Sequence, residues 1–304
     1  MDQAIVIENL SKKYRNNRGI ENINLEVSKG EIFGFLGPNG AGKTTAMKVM
    51  TGLMTADSGR VRINGFDIAE HYEEAMRDVG CIIEGVTPYA YLTAMENLRM
   101  CARFYDDVDD KRILECLDAV GIGKYKNEKV KNFSLGMKQR MAIALAVMHD
   151  PELLILDEPI NALDPEGIRE MRRLFQRLSR EQGVTIFISS HILSEVEQIA
   201  DSIGILSGGK LQKEVSMEEI HGYLSEYLEI KVDDVDKAAA LLEQSGRIVS
   251  MKVLRENRIQ IFDAELSAKE LAELLVRHGV GLEELMQKQG MLEEYFFHLT
   301  EEAK

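Results

Sequence analysis

Cysteine is scarce in this sequence: Cys81, Cys101 and Cys116 are all there are among 304 residues. Their wide spacing excludes a disulfide framework and offers no metal-ligand pattern, so reduced thiols in apolar surroundings of a cytoplasmic protein are expected. Long hydrophobic runs are missing too. The most apolar stretch, Met141 to Met148, falls far short of the roughly 20 residues that span a bilayer. Any function at a membrane then requires a partner chain. Met1-Asp2-Gln3 lacks the basic-then-apolar layout of a signal peptide, and no leader is expected. Basic residues are in deficit, 37 against 51 acidic, for a net charge of −14. So acidic a surface repels phosphate backbones and anionic lipid, which excludes broad nucleic-acid or membrane-surface binding. A single nucleotide is still admissible, because a local nest of backbone amides outweighs distant acids.

No internal repeat and no low-complexity tract interrupts the chain. What remains is an ordinary globular composition, 45% hydrophobic and 29% charged, with fifteen scattered methionines suited to filling core gaps. The length suits one large domain and a small one.

Ile23, Leu25 and Val27 alternate with polar residues, as in a half-buried strand. Glu31 to Leu36 predicts a strand that runs into a glycine-rich loop, and from Lys43 the spacing of Met47, Met50 and Leu53 is helical. Asp57-Ser58-Gly59 and Asn64-Gly65 bracket a short hairpin strand. Val79 to Ile83 follows as a strand, then helices to about Val120 and a helix over Gly136 to His149. Leu153 to Leu156 is apolar without alternation, the pattern of a strand covered on both faces of a parallel sheet. Strands at Val184 to Ile188 and Ile203 to Leu206, with helices between, continue the βα rhythm of a parallel α/β sheet. Ser207-Gly208-Gly209 turns into a last strand near Leu211 to Val215.

Beyond about His221 a small α+β domain is expected. Its strands are Tyr227 to Val232, Ile248 to Leu254 and Ile259 to Phe262, and its helices Lys237 to Gln244 and Ala268 to His278. A closing helix carries Leu292, Tyr295, Phe296 and Leu299. The expected domains are therefore 1–221 and 222–304.

Chemistry concentrates at two places. Gly37-Pro38-Asn39-Gly40-Ala41-Gly42-Lys43-Thr44 has a first glycine, four residues, then Gly-Lys-Thr, between a strand and a helix. Glycines let successive backbone amides turn toward one phosphate, and the following helix adds its N-terminal dipole. Lys43 then reaches the β- and γ-phosphates and Thr44 ligates Mg²⁺. A ligand-free strand-to-helix turn is the bland alternative, disfavoured by the flanking elements. A dinucleotide fingerprint is excluded, since the loop contains no G-x-G-x-x-G spacing. The second place is Asp157-Glu158, which ends the Leu153 to Leu156 strand. That delivers two carboxylates to the edge of the sheet where ligands bind: Asp157 for the Mg²⁺ shell, Glu158 as the base for the attacking water.

Further segments carry a resemblance. Phe133-Ser134-Leu135-Gly136-Met137-Lys138-Gln139-Arg140 is similar to the signature motif of ABC ATPases, Ala162-Leu163-Asp164 to their D-loop, and Ser189-Ser190-His191 to the strand ending in their switch histidine. Tyr14 stands where their adenine-stacking aromatic does. The resemblance covers about the first 220 residues and implies an α/β P-loop fold with a parallel core sheet, an antiparallel β part and a helical subdomain. It implies an ATPase with ATP and Mg²⁺ as cofactors. Catalytic roles fall to Glu158, His191 and Glu84, and nucleotide contacts to Tyr14, Asn39, Gly40, Gly42, Lys43, Thr44 and Thr45. Metal contacts fall to Thr44, Asp157 and Glu84. It also implies a head-to-tail dimer of two copies, with Ser134, Gly136 and Asp164 of one copy completing the site of the other. A transmembrane permease partner, a peripheral location at the cytoplasmic face of the membrane and no nucleic-acid partner follow.

Phe33 to Gly37, Ser134 to Arg140, Phe187 to Glu195 and the Glu293-Glu294-Tyr295-Phe296 ending resemble the bacitracin-resistance and lantibiotic-immunity branch of peptide exporters. Leu135 and Met137 depart from the commonest signature form, and Ile160 replaces the usual Thr or Ser. Glu84 stands in place of the usual Q-loop glutamine, a substitution the lantibiotic-immunity branch shares; no glutamine lies between Gln3 and Gln139. Other readings are an exporter of another drug or ion, or a soluble ABC ATPase acting on nucleic acid. Against the latter, the chain has one cassette, no coiled-coil insertion and an acidic surface. The C-terminal domain reads as a dimer-stabilising appendage or a regulatory module.

Overall fold

Strand β1 (Gln3–Lys13) buries Ile5, Ile7 and Leu10 and pairs antiparallel with β2 (Gly19–Ser28). The structure, a computed structural model, describes residues 2–15, 18–85, 87–223, 226–264 and 266–289. Next come β3 (Ile32–Leu36), α1 (Lys43–Met50), β4 (Ser58–Ile63), β5 (Phe66–Asp67), α2 (Tyr72–Met76) and β6 (Val79–Ile82). A helical stretch follows with α3 (Ala94–Ala102), α4 (Asp110–Ala119) and α5 (Leu135–Val147). The α/β rhythm then resumes through β7 (Leu153–Asp157), α6 (Pro165–Gln182), β8 (Thr185–Ser190), α7 (Leu193–Val196), β9 (Ser202–Ser207), β10 (Lys210–Ser216) and α8 (Met217–Tyr223).

The main sheet has the order β10-β9-β3-β8-β7-β6. Strands β9, β3, β8, β7 and β6 are mutually parallel, and β10 closes one edge antiparallel to β9. A second, antiparallel sheet has the order β2-β1-β4-β5. Every residue of β3, β7 and β8 is buried, and period-2 geometry explains why. Leu154, Leu156, Ile186 and Ile188 enter one core with helices α3 to α6. Their chain neighbours Leu153, Ile155 and Phe187 enter the other, with α1 and the antiparallel sheet. Alternation persists in these strands as a choice between two cores, which hides it from the polarity pattern. Phe33 and Phe187 stack across adjacent strands with centroids 5.4 Å apart.

Local sequence starts the helices where capping chemistry allows. Thr93 and Glu96 form a reciprocal capping box at α3, Asp109 caps α4, Ser134 caps α5, and Asp164 caps α6 with Pro165 at its first position. All three cysteines are free. Cys116 is buried, which pushes its thiol up to about 11. Cys81, on the sheet-edge strand β6, is the most exposed of the three, yet partial burial still pushes its thiol up.

Contacts divide the chain into two units, the first running to Met217, which is buried and whose N–H donates to the Asp201 carbonyl. The second unit, beginning at Glu218, holds β11 (Glu226–Val232), α9 (Val235–Gln244), β12 (Ile248–Val253), β13 (Arg258–Ala264), α10 (Ala268–Arg277) and β14 (Leu282–Gln289). Its antiparallel sheet has the order β12-β13-β11-β14, a split β-α-β arrangement. Leu228, Ile230, Ile259 and Ile261 pack with Ala238 and Leu242 of α9 and Leu271 and Leu275 of α10. Glu229, 5% exposed, is ion-paired with Arg258 and Lys288. Burial pushes its carboxyl up, but Lys288, Gln260 and Arg258 outweigh burial and hold it below the usual range. Strand β14 was not anticipated, and the expected closing helix at Leu292 to Leu299 lies outside the described residues.

Candidate active site

The loop from Gly37 joins the C-terminal end of β3 to the first turn of α1. Gly42, the N-cap of α1, has φ +111 and makes no side-chain cap. A Cβ there would lie 2.7 Å from Ile20 Cγ2, so only glycine fits the turn. The uncapped first amides of α1 are thereby left for an anionic ligand. Lys43, 6% exposed, donates to the Gly37 carbonyl at 2.7 Å and lies 3.4 Å from Glu158 Oε1. Its charge sits inside the loop where a phosphate would sit.

Strand β7 is the neighbour of β8 and carries Asp157 and Glu158 at its end. Thr44 Oγ1 donates to Asp157 Oδ2 at 2.8 Å, and Ser189 Oγ donates to Asp157 Oδ1 at 2.6 Å. Glu158 takes φ +49, a left-handed conformation that costs a non-glycine residue about 1 kcal/mol or more. The Glu158 N–H donates to the same Ser189 hydroxyl at 3.0 Å, which helps hold that turn. Its carboxylate then spans two partners, Lys43 through Oε1 and His191 Nδ1, 3.0 Å from Oε2. A carboxylate held between a loop cation and an imidazole at the rim of an anion nest can accept a proton from a water attacking a bound phosphate.

A cavity of about 470 Å³ opens over this constellation, within the usual range for a small-molecule site. Tyr14, Asn39, Gly40, Gly42, Lys43, Thr44, Thr45 and Glu158 line it, together with Arg18 and Gly19. The Tyr14 hydroxyl is 3.4 Å from Thr45 Oγ1. Another cavity, of about 440 Å³, lies at the opposite strand ends, where Arg112 pairs with Asp150 and Lys29 with Glu152. It gathers none of the expected site residues.

The donor set fits Mg²⁺. Thr44 and Asp157 bring a hydroxyl and a carboxylate oxygen together, hard ligands of the kind Mg²⁺ takes. Mg²⁺ commonly takes only one or two protein ligands and completes its shell with substrate phosphate oxygens and water.

Four expected residues stand apart. Ser134 is occupied as the cap of α5, accepting from the Met137 N–H at 3.2 Å. Gly136 lies against the Ala162 carbonyl, so the signature and D-loop segments adjoin each other. Asp164 accepts from the Gly167 N–H at 2.9 Å. None of the three lines the cavity. Glu84 has turned to Lys48 of α1, with Oε1 2.7 Å from Nζ. Sequence reasoning missed Ser189 and Lys48. A hydroxyl next to the last position of a buried strand was the available signal for Ser189; Lys48 offered only its place four residues after Thr44.

A family model described as "ABC transporter" matches residues 20–161. The bacitracin transport ATP-binding protein BcrA of Enterococcus faecalis is 44% identical over 98% of this chain and 97% of its own length. The lantibiotic transport ATP-binding protein SrtF of Streptococcus pyogenes is also 44% identical, over 67% of this chain and 87% of its own. Among solved structures, the dimeric post-hydrolysis state of the ATP-binding cassette MJ0796 bound to ADP and Pi superimposes with a TM-score of 0.64. It is 25% identical and covers 70% of this chain and 98% of that one.

Proposed function

Because this chain belongs to the ABC transporter family, as an ATP-binding subunit with the family's ATPase fold, we propose that it energises efflux of a peptide antibiotic of the bacitracin or lantibiotic kind. The peptide would cross through a separate membrane subunit. The observation that carries the ATPase site is the Glu158 carboxylate held between Lys43 and His191 at the mouth of the phosphate loop. The substrate class is supported by relatives named for bacitracin and lantibiotic transport. No described helix is long and apolar enough to cross a membrane, which supports a second, membrane-embedded chain and a peripheral place for this one.

In this reading Tyr14 stacks on the base, the loop amides and Lys43 bind the phosphates, and Thr44 and Asp157 hold Mg²⁺. When bound, Mg²⁺ neutralises charge on the β- and γ-phosphates. As Lys43 turns to the phosphates it leaves Glu158 Oε1, and that oxygen becomes free to take a proton from the attacking water. His191 keeps the other oxygen oriented. Ser134 and Gly136 lie outside the cavity of their own chain, so we assign them to a second copy arranged head to tail. The dimeric cassette above supports the association of two copies.

The export reading is tested in cells that carry this chain and its membrane partner. Survival in bacitracin and in a lantibiotic should rise, and Glu158→Gln should abolish the gain. Equal susceptibility to both peptides with and without the wild-type pair would refute the substrate class.

A further inference from the structure

Glu84 leaves β6 beside the strand that delivers the site carboxylates, for Ile82 pairs in parallel with Leu156, one residue before Asp157. Glu84 and Gly85 both take left-handed conformations, with φ of 57 and 82, so the chain turns sharply there. Glu84 Oε1 lies 2.7 Å from Lys48 Nζ, with the two side chains 61% and 24% exposed. Among the described residues neither makes another ion pair. Lys48 stands four residues after Thr44 on α1. Positions i and i+4 share one helix face, with Cβ atoms about 5–6 Å apart. The pair therefore forms one turn along the helix from the Thr44–Asp157 contact.

We propose that Lys48 is a positioning residue: it holds the Glu84 carboxylate one helical turn away from the metal-binding oxygens until Mg²⁺ and ATP draw it across. Without a cation, a carboxylate beside Asp157 and Glu158 would meet like charge at close range, and Lys48 supplies the alternative partner. With Mg²⁺ present, the ion offers Glu84 a second positive charge, and the two positions compete. An ion pair this exposed is weak, which suits a contact that must open in every cycle. This rests on the ATPase reading above.

Equilibrium binding of a fluorescent ATP analogue, titrated with Mg²⁺, tests it without reference to turnover. The purified chain is compared with Lys48→Met, Lys48→Arg, Glu84→Gln and the Lys48→Met/Glu84→Gln double variant, each checked by thermal melting. Losing a nearby positive charge weakens nucleotide binding whatever residue occupies position 84, and the four-way comparison cancels that part. What remains is the coupling. Lys48→Met should lower the half-saturating Mg²⁺ concentration about two- to fivefold more with Glu84 present than in the Glu84→Gln background. Lys48→Arg should behave as wild type, since it keeps the charge. Equal effects of Lys48→Met in both backgrounds, or coupling of the opposite sign, would overturn the assignment. Absence of nucleotide binding by the folded wild-type chain would overturn the ATPase reading along with it, and so is distinct from failure of the pair alone.

Discussion

At the scale of single residues, the site turns on where Glu158 is held. Its backbone is left-handed, its N–H rests on Ser189, and its two oxygens face Lys43 and His191. Replacing it by glutamine keeps the shape but removes the carboxylate proposed as the base. Glu158→Gln should therefore bind ATP as wild type does and turn over about 10²–10⁴-fold more slowly. Single-turnover hydrolysis beside a binding isotherm measures both, and unimpaired turnover would remove Glu158 from the role. Much of this constellation was legible, because Gly-x₄-Gly-Lys-Thr and a buried strand ending in Asp-Glu are local patterns. Ser189 and Lys48 were not. Their partners lie on another strand and in the turn after β6, and no spacing rule connects Ser189 to Asp157 or Lys48 to Glu84.

Among the elements, α10 gives a pH-dependent test. Ser267 and Glu270 form a reciprocal capping box, and Ser267's hydroxyl and N–H, with Arg247 behind them, hold the Glu270 carboxyl down at about 2. A carboxyl depressed in the folded state contributes stability that is fully present above its unfolded value of 4.5. That contribution is lost as pH falls toward about 2. Wild type should protect the first-turn amides of α10 better than Glu270→Gln at pH 7, and the advantage should fade between pH 4.5 and about 2. Amide hydrogen exchange reads this directly, and a difference constant across that range would contradict it. Element legibility followed the same line between local and distant causes. Caps such as Ser267 and Asp164 are written in the chain, whereas β14 has no β-branched or aromatic residue and carries Glu283, Glu284 and Lys288, types depleted in strands. It is a strand because β11 offers it an edge.

For the whole molecule, two copies are the functional unit in the proposed reading. If Ser134 of one copy completes the site built on Lys43 of the other, Ser134→Ala and Lys43→Ala are each inactive alone. Mixing them should restore up to about a quarter of the wild-type rate, since half the dimers are mixed and each has one intact site. Specific activity should also climb with protein concentration. No recovery on mixing, with exchange of subunits shown by labelling, would count against shared sites.

The sequence alone determined the parallel α/β class, the phosphate loop, the paired acids at the end of β7 and the resemblance that led to the family. Those features are encoded by residues close together in the chain, where glycine conformations, strand periodicity and caps act locally. Only the tertiary structure decided which core each face of β7 and β8 enters, and that Ser189 bridges Asp157 to the backbone of Glu158. It also decided that Ser134, Gly136 and Asp164 stand clear of their own chain's cavity and that Glu84 rests on Lys48. Those are arrangements of groups far apart in sequence, fixed by how strands and helices pack and, at Asp157 and Ser189, by the requirement that buried polar groups find partners.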